Sequence, residues 1–119
     1  MKQIITLLLL INTAHAESWI KYAHDDLNTQ YEYEQSQITH HELEGKVFVV
    51  WNKSTHNQDS KITRLELHCG SRSYRKTYEI RRERNNLVYE QTRPDEYWSY
   101  AVPDGVEMRL IEEICSHYE

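Results

Sequence analysis

Lys61-Ile62-Thr63-Arg64-Leu65-Glu66-Leu67-His68-Cys69 alternates with a period of two: Thr63, Leu65, Leu67 and Cys69 share one side, Arg64, Glu66 and His68 the other. Successive side chains of a strand point to opposite faces, so this stretch reads as a strand with one dry face. Cys69 then points with Leu65 and Leu67 toward the core. The period changes after Asp104, where Val106, Leu110, Ile111, Ile114 and Cys115 form one apolar stripe at helical spacing. Asp104 and Glu107 fit an acidic capping box, which predicts a helix from about Gly105 to His117 with Cys115 on its buried face.

Cys69 and Cys115 are the only two cysteines of the 119 residues. The compartment decides how they read. Lys2, an apolar run from Ile4 to Ile11 broken only by Thr6, and small residues at Ala14 and Ala16 have the form of a cleavable export signal. A signal peptide is thus expected over residues 1–16 and a single domain over 17–119. The apolar run is shorter than the roughly 20 residues of a membrane span, so no stable membrane insertion is expected. Exported chains meet oxidising conditions, and a Cys69–Cys115 disulfide is expected. In the chain-entropy model such a loop contributes about 4 kcal/mol. There is no C-x-x-C to suggest thiol–disulfide catalysis.

Further strands follow on both sides of the opening stretch. Trp19 to Ala23 is a candidate first strand, with Asp25-Asp26-Leu27-Asn28 as a turn. Tyr31, Tyr33 and Gln35 then face one way and Glu32 and Glu34 the other, giving a strand with a wet side that Ile38 to Glu42 continues past Ser36. Val47-Phe48-Val49-Val50-Trp51 is apolar on both faces and belongs in the middle of a sheet. The polar run Asn52 to Ser60 reads as a loop. From Ser73 to Arg82, Tyr74, Lys76, Tyr78 and Ile80 oppose Arg75, Thr77, Glu79 and Arg81. Asn85-Asn86 marks a turn, because Asn tolerates positive φ, and Leu87 to Gln91 returns as the second arm of a hairpin. Pro94 and Pro103 bracket a short aromatic segment, an edge strand or ordered loop. The fold expected is α+β: one antiparallel sheet of about five to six strands, with a single C-terminal α-helix packed on it and tied by the disulfide.

Charge is placed in blocks. Glu17, Asp25, Asp26, Glu32, Glu34, Glu42 and Glu44 precede the basic stretch Arg72, Arg75, Lys76, Arg81, Arg82 and Arg84. The net charge of −5 becomes one unit more negative once Lys2 is removed, which argues against a nucleic-acid partner that needs its phosphates neutralised. Nine Tyr and three Trp stand against one Phe, a composition that suits half-buried sheets and binding surfaces. His40-His41 lie next to each other and would point to opposite faces of a strand, so no metal site is expected. With Gly45, Gly70 and Gly105 as the glycines of the chain, there is no phosphate loop, and no nucleophile elbow or H-E-x-x-H motif occurs. No catalytic residues and no cofactor are expected.

Trp19, Tyr31-Glu32-Tyr33-Glu34 followed by Ser36-Gln37-Ile38, Val49-Val50-Trp51, Leu65-Glu66-Leu67-His68-Cys69, the stretch Trp98 to Gly105 and Ile114-Cys115 together resemble the bacterial surface-adhesin protein E family. The resemblance implies a single antiparallel sheet carrying a C-terminal helix tied by the cysteine pair. The family is named for a member that binds host matrix and serum proteins at the surface of a Gram-negative pathogen. This chain departs from that member because Glu17, not a lipobox cysteine, follows Ala16, so a periplasmic or released protein without a lipid anchor is expected. The function expected is a non-enzymatic protein-binding module. Arg75, Lys76, Arg81, Arg82 and Arg84 are its candidate contact residues, because arginine and aromatic side chains dominate interface energetics. Its partner would be a host matrix or serum protein or another exported bacterial protein, with a homodimer left open. The competing expectation is a periplasmic accessory or inhibitor acting on an exported bacterial protein or small ligand.

Overall fold

The computed structural model describes residues 17–42 and 45–118. The export signal expected at 1–16 lies outside the described residues, as do Leu43, Glu44 and Glu119. Eight strand segments run in chain order as β1 (Trp19–His24), β2 (Gln30–Glu34), β3 (Thr39–Glu42), β4 (Lys46–His56), β5 (Asp59–His68), β6 (Ser73–Glu83), β7 (Asn86–Gln91) and β8 (Ser99–Tyr100). A single helix, α1 (Val106–His117), closes the described chain.

The eight segments fill six positions of one antiparallel sheet in the order β1-β2-β4-β5-β6-β7. β3 continues the line of β2 after a 3-10 turn at Gln35–Gln37 and pairs with the first half of β4. β8 likewise sits in line with β7 and pairs with the start of β6. The middle of the sheet is β4 and β5, as the two-sided apolar run from Val47 requires. Val47, Phe48, Val49 and Val50 are all buried.

The helix covers one side of the sheet. Leu110, Ile111 and Ile114 pack on Phe48, Val50, Leu65 and Leu67, with Tyr33 and Ala101 completing the core. The expected disulfide is present: Cys69, just past the end of β5, is joined to Cys115 in the last turns of α1. Full burial of a large apolar side chain contributes about 1.5–3 kcal/mol, so the three helix residues hold α1 on the sheet independently of the bridge.

Four local expectations change. The capping box does not form: the N-cap is Gly105, with no side-chain cap, and Asp104 has φ 63°. Asp104 has turned into the left-handed region, taking its carboxylate away from the orphan N–H groups. Asn52 to Ser60 is not a loop, since β4 continues to His56 and β5 starts at Asp59. The reversal takes only Asn57 and Gln58, with Asn57 at φ 54°. Glu34 is not on a wet side: it is 2% exposed and accepts the N–H of Ser18 at 2.9 Å, the N–H of Ser36 at 3.0 Å and the Ser36 hydroxyl at 2.7 Å. Finally, the β6–β7 turn is one residue earlier than expected, at Arg84 and Asn85 with φ 52° and 68°. Two positive φ values in a two-residue loop match the twist of the strands it joins.

The largest correction concerns β6. Arg64 pairs with Tyr78 but Leu65 pairs with Lys76, so Thr77 is an extra residue. This bulge reverses the alternation of everything that follows. Tyr74 and Lys76 stay on the helix side, whereas Tyr78 and Ile80 pass to the opposite side and Glu79 and Arg81 join the helix side. Thr77 fixes the bulge by donating its hydroxyl to the Arg64 carbonyl at 3.1 Å and accepting from Arg64 Nη1 at 3.2 Å. Thr77→Val removes both bonds from a buried position and is expected to cost about 1–2 kcal/mol in urea unfolding. Unchanged stability would mean that the backbone alone sets the bulge.

Candidate protein-contact surface

The five candidate basic residues come from one hairpin but do not form one patch. Arg75 lies on the side of the sheet away from the helix, bound to Glu66 through Nε at 2.8 Å, with its guanidinium 5.2 Å from the Trp98 ring centroid. Lys76 and Arg81 lie on the helix side and both serve Glu79, at 3.1 Å and 2.9 Å. Arg81 also lies 4.7 Å over the Tyr89 ring. Arg82 and Arg84 form no ion pair among the described residues, and they stand at the hairpin tip. Alternation along the strand already sets Arg75 opposite Lys76 and Arg81 opposite Arg82, and the bulge at Thr77 decides which share a side, placing Arg81 with Lys76 and Arg82 with Arg75.

Glu79 is 2% exposed. Burial alone would push its carboxyl up, but the hydrogen bonds from Arg81 and Lys76 outweigh that and hold it below the usual carboxylate value. Glu34 follows the same pattern: burial raises it, while Ser36, Ser18 and the nearby Lys53 charge bring it below the ordinary range. Both are ionised, well-satisfied groups that hold structure together.

A different feature gathers at the β7–β8 edge. Leu87, Val88, Tyr89, Tyr97, Trp98, Tyr100 and Val102 are the exposed large hydrophobic side chains of the described residues, apart from Leu27. All belong to one edge of the sheet, and Tyr97 and Tyr100 are more than three-quarters exposed. Edge strands are usually blunted by charge or proline. Here Pro94 breaks the edge between β7 and β8, and the Asp95 N–H closes the gap on the Lys76 carbonyl at 2.7 Å. Large contiguous apolar patches on soluble proteins commonly serve as contact surfaces. Sequence reading located the aromatic segment after Pro94 but not its union with Leu87 and Val88, because that union depends on β7 and β8 lining up beside β6.

The helix side carries a second feature. Beyond Val50 and Leu65 the helix-side positions of the sheet turn polar: Asn52, Ser54, Thr63 and Glu79, all buried, and the half-buried Lys61. Two neighbouring depressions there, of 420 and 280 Å³, share Lys61. Glu107 faces the second of them. Burial raises the Tyr22 and Tyr74 hydroxyls above their usual range, and the Glu107 charge adds to the effect.

His40 and His41 point to opposite sides, His40 against Phe48 and His41 toward Glu66 at 3.9 Å. No group of three or more His, Cys, Asp or Glu that could hold a metal occurs among the described residues. No helix among them is long and apolar enough to cross a membrane. Comparison with protein-family models, curated proteins and solved structures finds no match to this chain.

Proposed function

We propose that the chain is a non-enzymatic, exported protein-binding module of the surface-adhesin protein E type, acting in the periplasm or after release. The observation that carries this reading is the apolar rim of the β7–β8 edge, with Arg82 and Arg84 at the adjoining hairpin tip. Exposed aromatics and arginines distributed along one sheet edge are the composition of binding hot spots. An exposed strand edge also offers backbone donors and acceptors to an extended segment of a partner. Host matrix or serum proteins are the partners this reading names first.

Affinity capture from host serum and from bacterial envelope tests it, using wild type, a Tyr97→Ser/Tyr100→Ser variant and an Arg82→Glu/Arg84→Glu variant. Tyr97, Tyr100 and Arg84 are exposed and Arg82 is half-buried, so both variants should fold. The tyrosine pair is expected to lower capture of the partner about tenfold or more, and the arginine pair to lower it less and in a salt-dependent way. Capture unchanged in both variants would remove this edge as the contact surface.

The second reading, a periplasmic accessory or inhibitor, draws on the polar helix-side depressions around Lys61. They offer hydrogen-bonding groups to a small ligand or to a protruding loop of an exported bacterial protein. A partner recovered only from the envelope, and lost on Lys61→Glu but not on Tyr97→Ser/Tyr100→Ser, would favour it.

A further inference from the structure

We propose that the side of the sheet away from the helix binds a neutral pyranose sugar, in the cavity between Trp19 and Trp51. That cavity has a volume of 190 Å³ and is lined by Glu17, Trp19, Glu34, Gln37, Trp51 and Ile62. It is smaller than the roughly 300–1,000 Å³ of sites that enclose drug-sized ligands, a size that suits one ring of a longer chain.

The sheet register builds this site. Trp19 pairs with Glu34 across β1–β2, and the Tyr33–Asn52 pair brings Glu34 level with Trp51. Trp51 pairs with Arg64, which pairs with Tyr78. One transverse row therefore reads Trp19, Glu34, Trp51, Arg64, Tyr78, alternating ring and charge across five strands. The two indoles stand two strand spacings apart, with a carboxylate between them.

Each wall is held by its own contacts. Trp19 Nε1 donates to Glu17 at 2.6 Å, and the Lys53 ammonium lies 4.3 Å from the Trp19 ring centroid. Trp51 is braced edge-on by Tyr78 with ring centroids 5.7 Å apart, and the Tyr78 hydroxyl is fixed on Glu90 at 2.8 Å. Rings fixed before binding lose little freedom when a ligand arrives.

The chemistry of the lining selects the ligand. A pyranose has apolar C–H faces and a rim of hydroxyls. Trp19, Trp51 and Ile62 supply the apolar contact for the first. The Glu17 carboxylate accepts from hydroxyls, and the Gln37 amide both accepts and donates. The charged residues of the lining are the carboxylates Glu17 and Glu34, and the cation beside them, Lys53, is already engaged on the Trp19 ring and by the Glu34 charge, so a uronate or other acidic sugar is disfavoured. Beyond Trp51 the ring of Tyr78 continues the aromatic row, which gives a second sugar of the same chain somewhere to rest.

The test is a nitrogen-15 NMR titration of the folded protein, reading the indole N–H signals of Trp19, Trp51 and Trp98. The probes are N-acetylglucosamine, glucose, their β-1,4-linked tetramers, glucuronate and choline. Saturable shifts of the Trp19 and Trp51 signals, with Trp98 unmoved, are expected, with Kd on the order of millimolar for single neutral sugars and about tenfold tighter for a tetramer. Gln37→Ala, at an exposed turn position, is expected to weaken tetramer binding about tenfold, and Trp51→Leu to abolish it. Binding of choline or glucuronate in preference to the neutral sugars would overturn the proposal. So would the absence of any indole shift. Should Trp51→Leu not fold, an unchanged affinity in Gln37→Ala would overturn it equally.

Discussion

Replacing Cys69 and Cys115 by serine is expected to lower the global stability of the domain by about 4 kcal/mol, because the bridge closes a separation of 46 positions in the unfolded chain. It is also expected to free the helix locally. α1 is attached at its N-terminal end through the turn before Val106 and at its C-terminal end through Cys115. A helix of 12 residues is marginal by itself in water, so α1 persists only while Leu110, Ile111 and Ile114 remain docked. With the bridge removed, fraying from His117 can reach Ile114 without unfolding the sheet. Hydrogen exchange separates the two effects. Amides of residues 110–114 should exchange through an opening of lower free energy than those of β4 and β5, whereas the bridged protein protects both alike. Equal loss of protection in helix and strands would mean that the bridge acts on the unfolded state alone. An open depression lined by Arg72, Ile111, Glu112 and Ser116 borders the two cysteines, so dithiothreitol should reproduce the serine variant without heating.

Residues 61–69 were legible because the whole of β5 obeys a period of two and its dry face meets the helix that the 106–115 stripe announces. Leu65 and Leu67 could be assigned to the core for the same reason, and Val47 to Trp51 to the middle of the sheet because that run is apolar on both faces. The polar run Asn52 to Ser60 was misread because polarity was equated with a loop. Asn52 and Ser54 are buried on the helix side, where the Tyr22 hydroxyl donates to Asn52 Oδ1 at 2.7 Å. Polarity there reports polar neighbours in place of an apolar core, and the backbone pairing continues regardless.

The bulge at Thr77 leaves no trace in the alternation, which runs unbroken from Tyr74 to Ile80. Only the register against β5 reveals that Arg64 and Leu65 have partners two residues apart. The candidate contact residues inherited this error, since Arg75, Lys76, Arg81 and Arg82 were placed on a strand of constant parity. The tryptophans were legible in part. Trp51 follows from the parity of Phe48 and Val50, but the row it forms with Trp19 and Tyr78 requires the strand order and the bulge together.

The bulge also makes the second large prediction. Without the extra residue, Lys76 and Glu79 would lie on opposite faces of β6. With it, Lys76, Glu79 and Arg81 share the helix side, and a carboxylate that is 2% exposed has two cations within 3.1 Å. Removing both cations as Lys76→Met/Arg81→Met leaves that charge unpaired. A buried pair broken on one side typically costs about 3–5 kcal/mol, and the partial exposure of Lys76 and Arg81 reduces this to about 2–3 kcal/mol at pH 7.

The pH dependence distinguishes this from lost packing. In the wild type the Glu79 carboxyl titrates below the ordinary value of 4.5 because burial is outweighed by the hydrogen bonds of Arg81 and Lys76. Its contribution is therefore present above that value and is lost as pH falls through the lower folded-state value. In the double variant only the Lys61 charge still opposes burial and the carboxyl is expected to titrate higher than in the wild type, so its cost is present at neutral pH and disappears as the group protonates. The stability difference between wild type and variant, measured by urea unfolding, should accordingly be greatest near pH 7 and shrink toward pH 4. Adding Glu79→Gln to the double variant should restore most of the loss at pH 7 and remove this pH dependence. A difference that stays constant from pH 7 to pH 4, or a triple variant no more stable than the double, would show that Lys76 and Arg81 support β6 through their aliphatic stems. The carboxylate they enclose would then not be what gives the bulged strand its stability.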